Sequence, residues 1–131
     1  MAMGRFTAKL RVWNPASPSR VAELEVIVDT GGAHSCVSRA RLEALGVNAV
    51  RRMQFRTTEG HTIEGDLAPM LVASDGFTGG DNVVVAEPGD REVMRAHTLE
   101  SLGDTVDPVE RKLVPRVGPG STAIELSSRE A

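Results

Sequence analysis

The sequence predicts a small, mostly β, barrel-like domain carrying two brief helices. Short segments alternate apolar with polar residues, turn formers recur at close intervals, and only two stretches carry helix start and stop signals. A chain of 131 residues can bury one core. Its 40% hydrophobic and 25% charged residues are globular rather than disordered composition.

The first segment, Phe6 to Trp13, alternates Phe6, Ala8, Leu10 and Val12 against Thr7, Lys9, Arg11 and Trp13, the period of a half-buried strand. Two prolines in Asn14-Pro15-Ala16-Ser17-Pro18-Ser19 break it into a loop. From Arg20 to Asp29 the alternation resumes with Ala22, Leu24, Val26 and Val28 on one face, so the two segments predict a hairpin ending at Asp29. Thr30-Gly31-Gly32 then forms a tight turn, expected to be one that only glycine fits easily. An acid at a strand end on such a turn is positioned rather than merely solvated.

Ser35 to Val37 reads as a short strand, after which Ser38 caps a helix from Arg39 to Leu45 that stops at Gly46, with Leu42 and Leu45 buried. Val50 to Thr58 and His61 to Gly65 predict a polar hairpin tipped by Glu59-Gly60. Leu67 to Ala73 is an apolar strand demoted in part by Pro69, residues 75–81 read as a loop, and Asn82 to Ala86 as a fully buried strand. Met53, Met70 and Met94 are expected in the core. A second helix, Thr98 to Leu102, ends at Gly103, and Val106 and Leu113-Val114 flank a proline turn. Residues 1–115 are therefore expected to form the domain, with 116–131 a Gly/Pro/Ser-rich tail whose island Thr122 to Leu126 could pair at a dimer interface. There is no internal repeat and no second Asp-Thr-Gly.

Several function classes fall away on composition. With 15 basic against 18 acidic residues, net −3 and no basic block, nucleic acid is not an expected partner. Aromatics at 3% are too few for stacking platforms. No apolar run approaches the roughly 18 residues of a membrane span, so no membrane partner is expected. The start Met1-Ala2-Met3-Gly4-Arg5-Phe6 has no signal-peptide core, and the lone Cys36 makes no internal disulfide. The expectation is a cytoplasmic protein.

A strand into Asp29-Thr30-Gly31, a Ser-capped helix, a glycine-tipped hairpin and Val-rich strands lead to Leu99-Glu100-Ser101-Leu102-Gly103 and Val106-Asp107-Pro108-Val109. This order resembles the retropepsin-like aspartic proteases, above all their single-domain bacterial members. The likeness spans roughly Val21 to Pro115. It implies a closed β-barrel of the acid-protease fold and an aspartic endopeptidase without a cofactor. Hydrolysis in such enzymes needs two carboxyls about 3 Å apart that share one proton. This chain supplies one Asp29, so the second must come from a two-fold-related copy, and a homodimer is expected. By resemblance, Thr30 braces the loop across the dimer axis, and Gly31 and Gly32 complete the active-site loop. Glu59, Gly60 and His61 form a flap over a polypeptide substrate held in extended conformation.

Three positions depart from the family pattern. Gly32 stands where Ala or Ser is usual, Ala33 where a small polar residue often helps hold the loop, and Arg95 where a glycine passes close behind the catalytic turn. A guanidinium reaching the acid pair would favour ionised carboxylates; snorkelling outward it would spare catalysis, and the outward course is the expectation. Arg95 and Ala33 favour an alternative, a catalytically inactive dimerisation or peptide-binding module of the same fold. A third class is a small β-domain that binds a partner through the tail near Ile124.

Other constellations are weak. His34, Cys36, His61 and His97 match no structural zinc spacing, so no metal is expected. Nothing near Cys36 supplies the base of a cysteine hydrolase, and it reads as a small buried hydrophobe. Asp75 and Asp81 lack the carboxylate density of a calcium site, and Asp107 is a turn former.

Overall fold

The structure is a computed structural model and describes residues 6–56, 59–74 and 76–116. It is mostly β. In chain order the elements are β1 (Phe6–Trp13), β2 (Val21–Val28), β3 (Cys36–Ser38), α1 (Arg39–Ala44), β4 (Arg51–Arg56) and β5 (Thr62–Ser74). They continue with β6 (Phe77–Ala86), β7 (Val93–Met94), α2 (Ala96–Leu102), β8 (Asp104–Asp107) and β9 (Lys112–Pro115).

The expected first hairpin is present. Antiparallel β1 and β2 set Leu10 opposite Leu24 and Val12 opposite Ala22, so their apolar faces coincide. From there the sheet runs β1-β2-β7-β3-β6-β5-β4, and a further pairing of β1 with β5 returns it to its first strand. The enclosed core includes Leu10, Val12, Leu24, Val26, Val28, Val37, Met70, Val72 and Met94. Strands β8 and β9 make a separate two-stranded sheet around the Pro108 turn.

Helix α1 starts at its expected cap, both helices end at their glycines, and α2 starts at Ala96 rather than Thr98. The Ser38 hydroxyl accepts from the Arg41 N–H at 3.3 Å. At the other end Val47 N–H donates to Leu42 C=O and Gly46 N–H to Glu43 C=O, with Gly46 at φ +72. This paired closure satisfies two orphan carbonyls and lets Leu42, Leu45 and Val47 bury together. Gly103, φ +72, ends α2 in the same left-handed conformation.

Two expectations change. Residues 61–65 and 67–73 are not separate strands but one, β5, and 77–81 are the first half of β6 rather than a loop. The register shows why: β4 pairs without a break through Gly65, Asp66 and Leu67, and Ser74 pairs directly with Phe77, next to Gly76 with φ +85. Gly79 and Gly80 then lie inside β6. At Gly79 an added Cβ would stand 2.8 Å from the Ser101 carbonyl carbon, so the absent side chain lets α2 pack on the strand. Met70 and Met94 are core as expected, whereas Met53 is half-buried beside an open groove. The island Thr122 to Leu126 and most of the 116–131 tail lie outside the described residues.

Candidate active site

Residues 29–35 form the loop between β2 and β3, and backbone hydrogen bonds hold it from two sides. Parallel pairing of β2 with β7 brings Val28 opposite Met94, and the Asp29 N–H donates to Met94 C=O at 2.9 Å. The Gly31 N–H donates to Asp29 Oδ1 at 3.0 Å, so the carboxylate is locked onto its own turn. Farther along, Gly32 C=O accepts from Ala96 N–H (3.2 Å) and Ala33 C=O from His97 N–H (2.8 Å). Those donors belong to the first turn of α2, whose N-cap Arg95 offers no side-chain cap. The loop carbonyls thus do the capping.

Neither Gly31 nor Gly32 has positive φ, so the glycines are not there for a left-handed turn. Proximity excludes side chains instead. A Cβ on Gly31 would sit 3.1 Å from Asp29 Oδ1, and one on Gly32 would sit 2.8 Å from Arg95 Cδ.

Arg95 does not take the outward course. Its side chain crosses Gly32, and Nη1 donates to His34 C=O at 3.3 Å and lies 3.7 Å from Cys36 Sγ. Nη2 stands 4.0 Å from Asp29 Oδ2, and the side chain is 31% exposed. The missing Cβ at Gly32 is what makes this course open.

Beneath the loop runs a chain of side chains that sequence reasoning did not connect. The Arg95 N–H donates to Ser35 Oγ at 2.7 Å, Ser35 and Thr98 share a hydroxyl hydrogen bond, and the Thr98 hydroxyl donates to Asp81 Oδ2. Ser35 and Thr98 are fully buried. Burial pushes the Asp81 carboxyl above its ordinary range, against donation from Thr98 and the Asn82 N–H. The chain ties the Asp29 loop to α2 and β6. A Thr opening a helix was the available signal, but its partners lie 63 and 17 positions away.

His34 joins this loop to the hairpin of β4 and β5. Its ring meets Phe55 edge-on at 5.3 Å and His97 at 4.5 Å. Burial and His97 push its imidazole below the ordinary value. Glu59, Gly60 and His61 stand at the tip of that hairpin, beyond the last pair Arg56–Thr62, and Gly60 has φ +87. Thr30 is exposed and Asp29 half-buried. The structure therefore gathers Asp29, Thr30, Gly31 and Gly32 into one loop and carries the hairpin tip on a separate arm. Among the described residues no group of three or more His, Cys, Asp or Glu could hold a metal ion. Cys36 is half-buried, and burial pushes its thiol up. Among the described residues no helix is long and apolar enough to cross a membrane. A groove of about 820 Å³ is lined by His34, Met53, Leu71, Asp81 and His97 among others, and Asp29 is not in its wall.

No family model and no curated protein matches this sequence. Solved structures do. The EIAV protease, complexed with an inhibitor, aligns at TM-score 0.56 and 21% identity over 79% of this chain and 92% of that one. The simian foamy virus (mac) protease, a solution structure, aligns at TM-score 0.50 and 17% identity over 72% and 92%. A retropepsin-like aspartic protease from Rickettsia conorii aligns at TM-score 0.44 and 16% identity over 82% and 88%, too loosely to bear on the fold. The two viral neighbours give the fold: it is retropepsin-like.

Proposed function

We propose that this protein, with its retropepsin-like fold, is an aspartic endopeptidase that works as a two-fold homodimer, each copy a closed β-barrel contributing one Asp29. The observation that carries the reading is the seating of Asp29-Thr30-Gly31: an acid at the end of β2, pinned through its N–H to Met94 and through its Oδ1 to Gly31.

The chemistry follows from two such acids facing each other. One Asp29 carboxylate takes a proton from water as the oxygen attacks the peptide carbonyl, and the other, protonated, gives its proton to the carbonyl oxygen. Collapse of the tetrahedral intermediate breaks the C–N bond, with a proton passing to the leaving amine. Thr30, exposed in the single chain, braces the pair across the axis. The hairpin tip at Glu59, Gly60 and His61 closes over an extended peptide, and Gly60 supplies the hinge-like turn. The working cleft lies between copies, away from the groove lined by Met53 and Leu71. A cytoplasmic setting belongs to the same proposal.

A second reading has one observation in its favour. The Arg95 guanidinium 4.0 Å from Asp29 competes with the shared proton for the same oxygens, which suits a peptide-binding module without turnover.

A mixed peptide library incubated with the parent and with Asp29→Asn at acidic to neutral pH separates the two. Cleavage by the parent alone supports the enzyme, with sedimentation showing a dimer. Silence from both, with a dimer that still binds peptide, supports the module.

A further inference from the structure

Three arginines of the domain are anchored on carboxylates, and Arg95, beside the Asp29 loop, is not. Arg39 reaches Glu87 through Nε (2.9 Å) and Nη2, and Asp66 at 2.9 Å. Arg41 grips Glu92 through Nε (3.0 Å) and Nη2 (3.2 Å). Arg52 bonds Glu64 at 3.1 Å and Asp66 at 3.0 Å. Each has a carboxylate in hydrogen-bonding contact. Arg95 has none: Nε is buried without an acceptor, and Nη2 stands 4.0 Å from Asp29 Oδ2, outside hydrogen-bond range.

A half-buried guanidinium with unused donors is an unpaid desolvation cost until an acceptor arrives. The geometry says which kind suits it. Nη1 is held by the His34 carbonyl, which leaves Nη2 as the donor beside Asp29, on a side chain 31% exposed. Asp29 itself is tied back to Gly31 through Oδ1. In the dimer the acid pair carries one negative charge when it shares a proton, while two Arg95 side chains bring two positive ones. One positive charge is left over at the cleft floor.

We infer that Arg95 is a specificity-determining residue that receives a substrate carboxylate, so that the cleft selects extended peptides bearing Glu or Asp close to the bond that is cut. This rests on the peptidase reading above for the identity of the cleft. Arginine suits the task because its planar fork keeps its charge and pairs with carboxylates at low cost in reorganisation. Gly32 is part of the device, since it opens the path the side chain follows.

The test uses peptides identical except for one position, Glu, Gln or Lys, scanned across the sites on either side of a central bond. The parent and Arg95→Gln are compared in cleavage. Asp29→Asn and Asp29→Asn/Arg95→Gln are compared in binding by fluorescence anisotropy. At one position the parent should prefer Glu over Gln by about tenfold in kcat/KM, and Asp29→Asn by a similar factor in Kd. Arg95→Gln should bring both ratios to about unity, and Arg95→Lys should restore them in part. If Arg95→Gln does not fold, raised ionic strength on the parent must lower the Glu:Gln ratio while leaving Gln peptides unaffected.

Cleavage with an equal Glu:Gln ratio in parent and Arg95→Gln overturns the inference and leaves the peptidase standing. Arg95-dependent binding of Glu peptides without cleavage supports the inference and overturns the peptidase. Neither binding nor cleavage of any peptide overturns both.

Discussion

Replacing Gly32 with alanine puts a methyl group where the Arg95 side chain runs. On the observed backbone that carbon would stand 2.8 Å from Arg95 Cδ and 2.9 Å from Nε. Comfortable contact between such atoms is about 3.5–4.0 Å. Gly32 does not have positive φ, so alanine meets no backbone strain and the collision is with Arg95 alone. The arginine must swing away and give up its bond to the His34 carbonyl. A hydrogen bond to a charged group is worth about 1.5–3 kcal/mol net. With the side chain 31% exposed, water recovers part of that, which leaves about 1–2 kcal/mol. Stiffening the unfolded chain returns about 0.4–1 kcal/mol. The net expectation for Gly32→Ala is a loss of about 0–1.6 kcal/mol.

The same change should reverse sign once the obstacle is gone. In Arg95→Ala, Gly32→Ala should stabilise by about 0.4–1 kcal/mol, giving a coupling of about 1–2 kcal/mol in the double-mutant cycle. Urea denaturation at fixed protomer concentration measures it, because the proposed dimer would make stability depend on concentration. Effects that add to within about 0.3–0.5 kcal/mol would show that Gly32 and Arg95 are independent and that the crossing has no energetic meaning.

Three further outcomes are expected. Ser35→Ala leaves the Arg95 N–H without its acceptor and shortens the buried chain to Thr98, and should cost about 1–3 kcal/mol in chemical denaturation. Gly79→Ala drives a carbon against the Ser101 backbone and should destabilise by about 1–3 kcal/mol or more, with α2 losing amide-exchange protection before the β1–β2 hairpin does. Because burial raises the Asp81 carboxyl above its unfolded value of 3.8, the folded state keeps that proton to higher pH. Its contribution to stability is full below that value and is lost as pH rises through the folded one. Asp81→Asn cannot ionise, so its stability relative to the parent should climb with pH across that window, and a difference flat with pH in denaturation would contradict this.

Most of the fold was legible because it is local. Alternation placed Leu10, Val12, Leu24, Val26 and Val28 on the core face, and two glycine stops placed both helices. The differences at β5 and β6 both turn on glycines: Gly65 lies inside β5 with Phe55 packed over it. In a sequence a glycine reads as a loop residue, yet Gly76 serves the turn at φ +85 and Gly79 makes room for a helix nearly 20 residues farther on in sequence. A glycine that serves a turn leaves a local signal. One that serves a neighbour leaves none until the neighbour is placed.

The site repeats that lesson with more at stake. Asp29, its turn and the hairpin tip could be named from order alone, because strand, turn and cap are nearest-neighbour chemistry. Ser35, Thr98 and Asp81 could not be joined, since their hydrogen bonds span sequence gaps of 63 and 17 residues. Arg95 and Gly32 were visible as two separate departures from a pattern, one adding a side chain and one removing a methyl. Taken one position at a time, each weakens the case for a working site. Taken together in space they are one exchange: the carbon missing at Gly32 is the room that Arg95 fills. The exchange keeps the loop packed and moves a cation to within 4.0 Å of the acid. A pattern read by position registers two losses there, whereas the packing registers a substitution of one loop support by another, with a new charge beside Asp29 as its chemical consequence.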